Sequence, residues 1–460
     1  MHPLTARCVD LLGTAGVIAG ADARARGAGI YSRDHVLADL ILRPASTAQV
    51  AAVVALCDAV RQPLVLHGGL TNLVDSARSA PGGVVLSLER MNAIEELDVV
   101  GRTMTVQAGA VLQSVQERAA AAGLMFGVDL GARGTCQIGG NLSTNAGGNR
   151  VIRYGMTREN VLGVEAVLAD GTVVPALNRM IKNNAGYDLK HLFIGSEGSL
   201  GVVTRAVLRL REAPASQSTA FAAFSSFDAV AAFLKHMDRS LGGMLSAFEV
   251  MWREFYLAVT TPPARGRAPI DGAFPYYALV ELLGADQAAD AERFESALAA
   301  AAEAGIAADV VVARSAADRA AMWGLRDDVE QMFRYGPAFI FDVSLAIRDM
   351  QAYVEAVREG LSARFPDHHC LTFGHIGDGN IHFAIAAGGV DAVAREAVEA
   401  CVYRPLRGIG GSVSAEHGIG LDKKRYLPWC RDAAEIALMR RLKLALDPNG
   451  TLNAGLVFDL

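Results

Sequence analysis

Two short segments carry side chains suited to holding a divalent cation. The first, Phe373-Gly374-His375-Ile376-Gly377-Asp378-Gly379-Asn380-Ile381-His382-Phe383, sets an imidazole on either side of a Gly-Asp-Gly turn. The second, Ser414-Ala415-Glu416-His417-Gly418, adds a carboxylate and a third imidazole. Two histidines with one carboxylate are a common divalent-metal set, and such a set leaves coordination positions open for a substrate. The turn lets His375 and His382 face one another. A lone histidine is more often a satisfied core residue than a ligand, but here four ligand-competent residues of 460 fall in two glycine-bounded motifs, which favours the metal. Asp378 stands where an aspartate ordinarily serves its own turn and is set aside as a ligand.

A second chemistry is written in glycine. Gly127 to Gly155 reads GVDLGARGTCQIGGNLSTNAGGNRVIRYG, dense in Gly, Ser, Thr and Asn. Glycine lets backbone approach a ligand closely, at an entropic cost. Successive free N–H groups form anion-binding concavities, and Ser143, Thr144 and Asn145 add partners for a phosphorylated, heteroaromatic cofactor. So small-residue a stretch is not expected to form a core helix. A flexible linker is the bland alternative, opposed by the interleaved Ile138, Leu142, Val151 and Ile152. A further turn, His67-Gly68-Gly69-Leu70-Thr71-Asn72-Leu73, follows the strand pattern Pro63-Leu-Val-Leu and would bring amides to a pyrophosphate. It lacks the G-x-G-x-x-G spacing and the later acidic residue of a dinucleotide-binding βαβ unit.

These segments need elements to position them. Helical periodicity predicts helices over Leu4–Leu12, Ala48–Val60 (capped by Ser46-Thr47), Leu112–Ala122, Phe227–Met237, Ala288–Ala304 and Ala433–Leu446. Tyr31-Ser-Arg-Asp34 reads as an irregular lead-in. Strands are predicted at Val84–Leu88, Ile94–Leu97, Met104–Gln107 and Val202–Leu210, with a hairpin of Val161–Leu168 and Thr172–Pro175 turned by Asp170-Gly171. After a composition shift at Arg211-Glu-Ala-Pro-Ala-Ser-Gln-Ser, helices alternate with strands at Tyr277–Leu282, Val310–Ala313, Phe339–Ser344 and Ile381–Ile385, a second α+β domain.

Composition narrows the class. A chain of 460 residues is expected to form two or three domains, and 52% hydrophobic with 20% charged residues excludes disorder. A net charge of −6 with scattered Lys and Arg argues against nucleic acid as partner. The six cysteines are dispersed without a C-x-x-C pair, so neither a disulfide framework nor an iron–sulfur cluster is expected and a cytosol fits. Leu11–Ala21 has the length of a signal-peptide core, but Asp10 beside it and a single preceding Arg7 speak against secretion. With no run long enough to span a bilayer, any membrane association, for instance at the inner membrane, is expected to be peripheral.

The order of motifs resembles one family over nearly the whole chain. Turn 67–73, Gly127–Gly155, Lys182-Asn-Asn-Ala-Gly-Tyr-Asp188, Gly195-Ser-Glu-Gly-Ser-Leu-Gly201-Val-Val-Thr, Gly374–His382, Ser414–Gly420 and Asp447-Pro-Asn-Gly-Thr-Leu-Asn453 look like those of the FAD-dependent D-2-hydroxyacid dehydrogenases. These include D-lactate and D-2-hydroxyglutarate dehydrogenases and the FAD subunit of glycolate oxidase, within the vanillyl-alcohol oxidase/p-cresol methylhydroxylase superfamily. The resemblance implies an α+β fold: a two-subdomain FAD-binding domain of the p-cresol methylhydroxylase type, a substrate (cap) domain with an antiparallel sheet, and a C-terminal helical segment returning to the FAD domain. The expected boundaries are a helical lead-in at 1–34, then 35–211, 212–410 and 411–460.

It also implies roles. His67, Gly68, Gly69, Leu70, Thr71, Asn72 and Leu73, with Asp129, Gly134, Thr135, Gly139, Gly140, Ser143, Thr144, Asn145, Gly147 and Gly148, would hold FAD, joined by Glu197, Gly198, Gly201, Val203 and Asn453. Noncovalent FAD is expected, because Leu70 stands where members with covalent flavin often carry His. His375, His382 and Glu416 match metal ligands, His417 matches the proposed general base, and Arg326, in Trp323-Gly-Leu-Arg, aligns with the arginine that clamps the substrate C1 carboxylate. An ordinary helix-surface arginine is the alternative there. Zinc is favoured, with Mn and Fe admissible. The 2-hydroxyl proton would pass to His417 and the C2 hydride to flavin N5, the cation lowering the hydroxyl pKa.

The chain departs from the pattern where the 2-hydroxyglutarate enzymes grip the distal carboxylate with a threonine, a lysine and an asparagine: here stand Glu330, Ile340 and Ala384. A small monocarboxylic 2-hydroxy acid, D-lactate or one with an apolar side chain, is therefore favoured. The FAD subunit of a glycolate oxidase complex and D-2-hydroxyglutarate dehydrogenase stay open as alternatives, and more remotely a zinc hydrolase whose glycine segments are only structural. No NAD fingerprint is present, so a quinone, cytochrome or electron-transfer flavoprotein is the expected acceptor. Homodimerisation is a family expectation.

Overall fold

The structure, a computed structural model, describes residues 2–29 and 34–460, so the lead-in at Tyr31–Arg33 lies outside the described residues. The chain separates into two compact units. One holds the residues up to Gly147 with Gly155–Ala213 and Glu416–Leu460; the other holds Gly148–Tyr154 and Pro214–Ala415. Residues 148–154, inside the expected 35–211 domain, thus group with the second unit. Among the described residues no helix is long and apolar enough to cross a membrane.

In the first unit β1 (Val17–Ala19), β2 (Leu40–Leu42), β3 (Leu64–His67) and β4 (Val84–Ser87) form a sheet in the order β1-β2-β4-β3. Its last three strands are parallel and β1 is antiparallel to β2. The second sheet comprises β5 (Ile94–Asp98), β6 (Thr103–Gln107), β7 (Leu124–Phe126), β8 (Val161–Val167), β9 (Val173–Ala176) and β10 (Val202–Glu212). Its order is β5-β6-β10-β8-β9, with β7 pairing β10, and every pair is antiparallel. The β8–β9 hairpin turns at Asp170-Gly171, where Gly171 has φ 85° and the Asp170 carboxylate accepts from the Thr172 N–H at 2.8 Å. The helix Thr47–Ala59 starts at Ser46, whose hydroxyl accepts from the Gln49 N–H, and buries Val50, Val53, Val54, Leu56 and Cys57. Burying each such Val or Leu contributes about 1.5–3 kcal/mol.

One expectation is corrected here. The Gly127–Gly155 stretch does contain a buried helix, Ile138–Thr144, and a single turn at Val151–Tyr154. A Cβ on Gly139 would lie 2.8 Å from the Ala108 Cβ, so the missing side chain lets the helix lie directly on its neighbour while Ile138 and Leu142 anchor it. The glycines bring the helix close rather than forbidding it.

The second unit is built on β11 (Ser216–Phe224), β12 (Leu245–Trp252), β13 (Tyr276–Gly284), β14 (Asp309–Val312), β15 (Phe339–Ser344), β16 (His369–Gly374) and β17 (Asn380–Ala386). They form a single antiparallel sheet in the order β14-β11-β13-β12-β16-β17-β15. One face packs through Met251, Leu371, Phe373 and Ala384 against Phe255 and Tyr256 of the helix Arg253–Thr260 and Met322 and Leu325 of the helix Ala316–Asp327. Side chains two residues apart on a strand share a face, so Glu249, Asp342 and His382 belong to it as well.

Candidate active site

That face carries the polar cluster. β16 ends at Gly374, where a Cβ would lie 2.3 Å from the Asn380 carbonyl oxygen, so the chain folds back tightly and β17 returns alongside. The close return sets the His375 and His382 rings edge to face at 5.3 Å, with one ligating nitrogen of each within 4.8 Å of the other. Both rings are buried, and each has a carboxylate behind it. His375 Nδ1 lies 2.6 Å from Glu249 Oε1, and His382 Nδ1 lies 3.8 Å from Asp342 Oδ1. Arg326 Nε donates to Glu249 Oε2 at 2.6 Å, and its Nη2 lies 3.4 Å from His375 Nε2. Because a guanidinium only donates, His375 Nε2 accepts, and Nδ1 carries the proton that is shared with Glu249. Burial pushes Glu249 up, but the facing His375 and Arg326 outweigh it and hold the carboxyl down to about 2. Arg326 is only 5% exposed, which removes the helix-surface alternative. Its guanidinium also lies over the Phe373 ring, 4.9 Å from the centroid.

Such a pair of buried imidazoles, one fixed by a carboxylate in the tautomer that leaves its outer nitrogen a lone pair, fits a divalent cation. The segment leading to the remaining expected ligands is tethered to the same strands. Ser344 and Ser412 exchange both backbone hydrogen bonds, at 3.1 and 2.7 Å, and Asp342 Oδ2 accepts from the Ala415 N–H at 3.1 Å. Glu416 and His417 are the next two residues of the chain.

The first unit brings the glycine motifs together. A Cβ on Gly69 would lie 2.2 Å from the Thr135 carbonyl oxygen, and one on Gly68 3.6 Å from the Gly140 Cα, so the 67–73 turn and the 131–149 segment are mutual neighbours. Leu70 and Asn145 both have positive φ, 56° and 52°. The Ser143 and Thr144 hydroxyls donate to the Gly139 and Gly140 carbonyls of their own helix, and Asn145 Oδ1 accepts from the Arg158 N–H. Gly201 accommodates the Phe193 ring, and Gly198, with φ 71°, lies against Leu66. Asn453 joins these pieces: Oδ1 accepts from the Leu66 N–H at 2.8 Å and Nδ2 donates to the Glu197 carbonyl at 2.7 Å. Asp129 pairs with Arg133 at 3.0 Å, and Val203 is a core residue of β10, opposite Ala166. Gly134 and Thr135 lie on the turn before the helix, and Gly147 and Gly148 are buried after it.

Three residues with evident work were not singled out for it. Glu249 and Asp342 are each the one charged residue of a mostly apolar strand, and that interruption was the available signal. Glu197 stood among the expected FAD contacts. Its carboxylate accepts from the Ile419 N–H at 2.6 Å and the Gly420 N–H at 2.9 Å.

His67 allows a stability prediction. Its Nε2–H donates to the Ala77 carbonyl at 2.9 Å, and burial pushes its pKa from 6.5 down to about 4, the Ala77 bond opposing. The unfolded chain therefore takes up a proton before the folded one does, and stability is lost as pH falls from 6.5 towards 4, by about 3 kcal/mol at most from this group. Urea unfolding followed against pH is expected to show a shallower acid slope in His67→Asn than in the parent; equal slopes would contradict it.

Two family models match the chain. A model described as "FAD binding domain" matches residues 38–176, and one described as "FAD linked oxidases, C-terminal domain" matches residues 213–457. The chain is 41% identical over 428 residues to a D-2-hydroxyglutarate dehydrogenase of Xanthomonas citri pv. viticola, covering 91% of this chain and 89% of that protein. It is 36% identical to a protein of the same name from Stutzerimonas stutzeri, with 91% and 90% covered, and 35% identical to a mitochondrial one from Arabidopsis thaliana, with 90% and 74% covered. Among solved structures, p-cresol methylhydroxylase with substrate bound superposes with a TM-score of 0.79 at 14% identity, over 99% of this chain and 96% of that one. A 4-ethylphenol oxidase from Gulosibacter chungangensis gives 0.75 at 18%, over 98% and 95%. At such identities these two speak for the fold alone.

Proposed function

Because the chain belongs to the FAD-linked oxidases, and among them to the FAD-dependent D-2-hydroxyacid dehydrogenases, we propose that the D-2-hydroxy acid it oxidises is a monocarboxylate, D-lactate or a homologue with an apolar side chain. The relatives named D-2-hydroxyglutarate dehydrogenase make a dicarboxylate the competing reading. One observation favours the monocarboxylate. Ile340 and Ala384 are directly opposed on β15 and β17, two residues along from the opposed Asp342 and His382, and Leu371 of β16 flanks Ala384. The neighbouring rung is thus apolar where a second carboxylate would have to sit. Met332 packs on the same cluster, and Glu330 is exposed. A carboxylate placed there would be desolvated without a partner, whereas each methylene buried there would contribute about 0.8 kcal/mol.

The residues divide the work as follows. Arg326, its Nε edge committed to Glu249, would present its two terminal nitrogens to the C1 carboxylate. His375 and His382, with Glu416, would hold a divalent cation, zinc favoured and Mn or Fe admissible, whose charge would acidify the 2-hydroxyl. His417 would accept the hydroxyl proton on a ring nitrogen. Noncovalent FAD, held by the neighbouring 67–73 and 131–149 segments with Gly198 and Asn453, supplies the hydride acceptor at N5. Reoxidation is assigned to a quinone, cytochrome or electron-transfer flavoprotein, in keeping with the lack of a G-x-G-x-x-G turn. All six cysteines are free thiols, which supports a cytoplasmic setting.

The reading is tested by mixing the protein anaerobically with D- and L-2-hydroxy acids, with and without chelator, and following flavin absorbance. D-lactate or an aliphatic D-homologue should bleach the flavin in a chelator-sensitive way. Bleaching by D-2-hydroxyglutarate in preference to these would reject the monocarboxylate assignment. Glu249→Gln removes the charge that orients His375, and metal affinity measured by chelator competition is expected to fall ~10- to 100-fold.

A further inference from the structure

The strained residue of the Gly195–Gly201 loop points to the next step. Glu197 has φ 52°, a left-handed conformation that disfavours a non-glycine residue by roughly 1–2 kcal/mol. Its backbone is fixed on both sides, the N–H donating to the Ser143 carbonyl at 2.8 Å and the carbonyl accepting from Asn453 Nδ2 at 2.7 Å. Glu197 is only 7% exposed, and the carboxylate that this backbone aims meets the C-terminal segment of the same unit. Each oxygen takes a separate backbone donor, Ile419 N–H on Oε1 and Gly420 N–H on Oε2. The turn is shaped to that carboxylate. Gly418 has φ 86°, and a Cβ there would lie 2.9 Å from Oε1; Gly420 has φ 55°, and a Cβ there would lie 2.0 Å from the Val74 carbonyl oxygen. Successive N–H groups closing around an anion form a nest, and here the anion is supplied by the protein itself.

We propose that Glu197 is a positioning residue for the oxidation, a carboxylate latch that fixes the Gly418-Ile419-Gly420 turn and thereby the setting of His417 and Glu416 immediately before it. This rests on the reading of His417 as the proton acceptor and Glu416 as a ligand. The strain in Glu197 has no use if the loop serves only to approach a cofactor, since glycines on either side already provide that approach. A latch explains why a glutamate occupies a left-handed position between them, from which its side chain reaches both amides.

The test uses the full-length FAD-loaded protein. Glu197→Gln preserves shape but turns an NH2 group towards one of the two amides. The limiting rate of anaerobic flavin reduction at saturating D-2-hydroxy acid and metal should fall ~10- to 100-fold, with FAD content and melting temperature near those of the parent. Gly418→Ala disturbs the latch from the opposite side and should give the same defect, and the double variant should be no slower than the slower single one. Additive defects, loss of FAD from Glu197→Gln, or an unchanged limiting rate would overturn the latch. His417→Ala separates the two ideas: a slow His417→Ala with a fast Glu197→Gln rejects the latch alone, whereas a fast His417→Ala rejects the reading on which it stands.

Discussion

Replacing His417 with alanine is expected to slow anaerobic flavin reduction by ~10²- to 10⁴-fold with FAD content unchanged. The 2-hydroxyl must lose its proton as the C2 hydride departs, and the other two histidines of the motifs are committed. His375 shares its Nδ1 proton with Glu249, and His382 is backed by Asp342. The proposed function assigns that proton to His417. Stopped-flow measurement of the bleaching rate checks this, and added imidazole should restore part of the rate. A variant within about threefold of the parent would remove His417 from the reaction.

The second large effect concerns substrate choice. Introducing Ile340→Lys and Ala384→Asn together, with Glu330→Thr, is expected to swing the ratio of kcat/KM for D-2-hydroxyglutarate over D-lactate by ~10²- to 10⁴-fold towards the dicarboxylate. Ile340 and Ala384 occupy one opposed pair, so a lysine and an asparagine there would reach the same point above the sheet. The ammonium would supply the charge that a distal carboxylate lacks in the parent, and D-lactate would leave that charge unpaired. Steady-state assays of both acids with an artificial acceptor measure the swing. An unchanged ratio would show that the apolar rung is not where the substrate side chain lies.

Much of this was legible in the sequence because regular elements announce themselves. Phe339–Ser344 and Ile381–Ile385 alternate and are β-rich, and the structure places both in one antiparallel sheet. The Gly-Asp-Gly turn alone implied that His375 and His382 would face each other, as they do at 5.3 Å. What stayed hidden depends on partners distant in the chain. Glu249 acquires its role from His375 and Arg326, 126 and 77 residues away, and no local pattern encodes that. The strand Ser216–Phe224 is missing from the expected strands because small Ala, Ser and Thr side chains are buried along nearly its whole length, leaving no alternation to read. The helix Ile138–Thr144 was masked by glycines whose purpose is close packing on Ala108, a contact made thirty residues upstream. The hold of Glu197 on the Ile419 and Gly420 amides was equally hidden, since those partners lie 222 and 223 residues later.

The first unit is assembled from pieces of chain that are separated by the whole second unit. β3, which leads into His67, is the outer strand of its sheet, and its Leu64 is bridged in parallel by Leu452. That late segment is itself locked by Lys443, which is buried and donates to the Ser199 and Leu452 carbonyls at 2.8 and 2.7 Å and to Asp447. On the ribosome, therefore, the raw edge beside His67 stays open while more than three hundred further residues are translated. Until its own tail arrives, the newborn polypeptide therefore carries an unpaired strand edge of the kind that other chains can join.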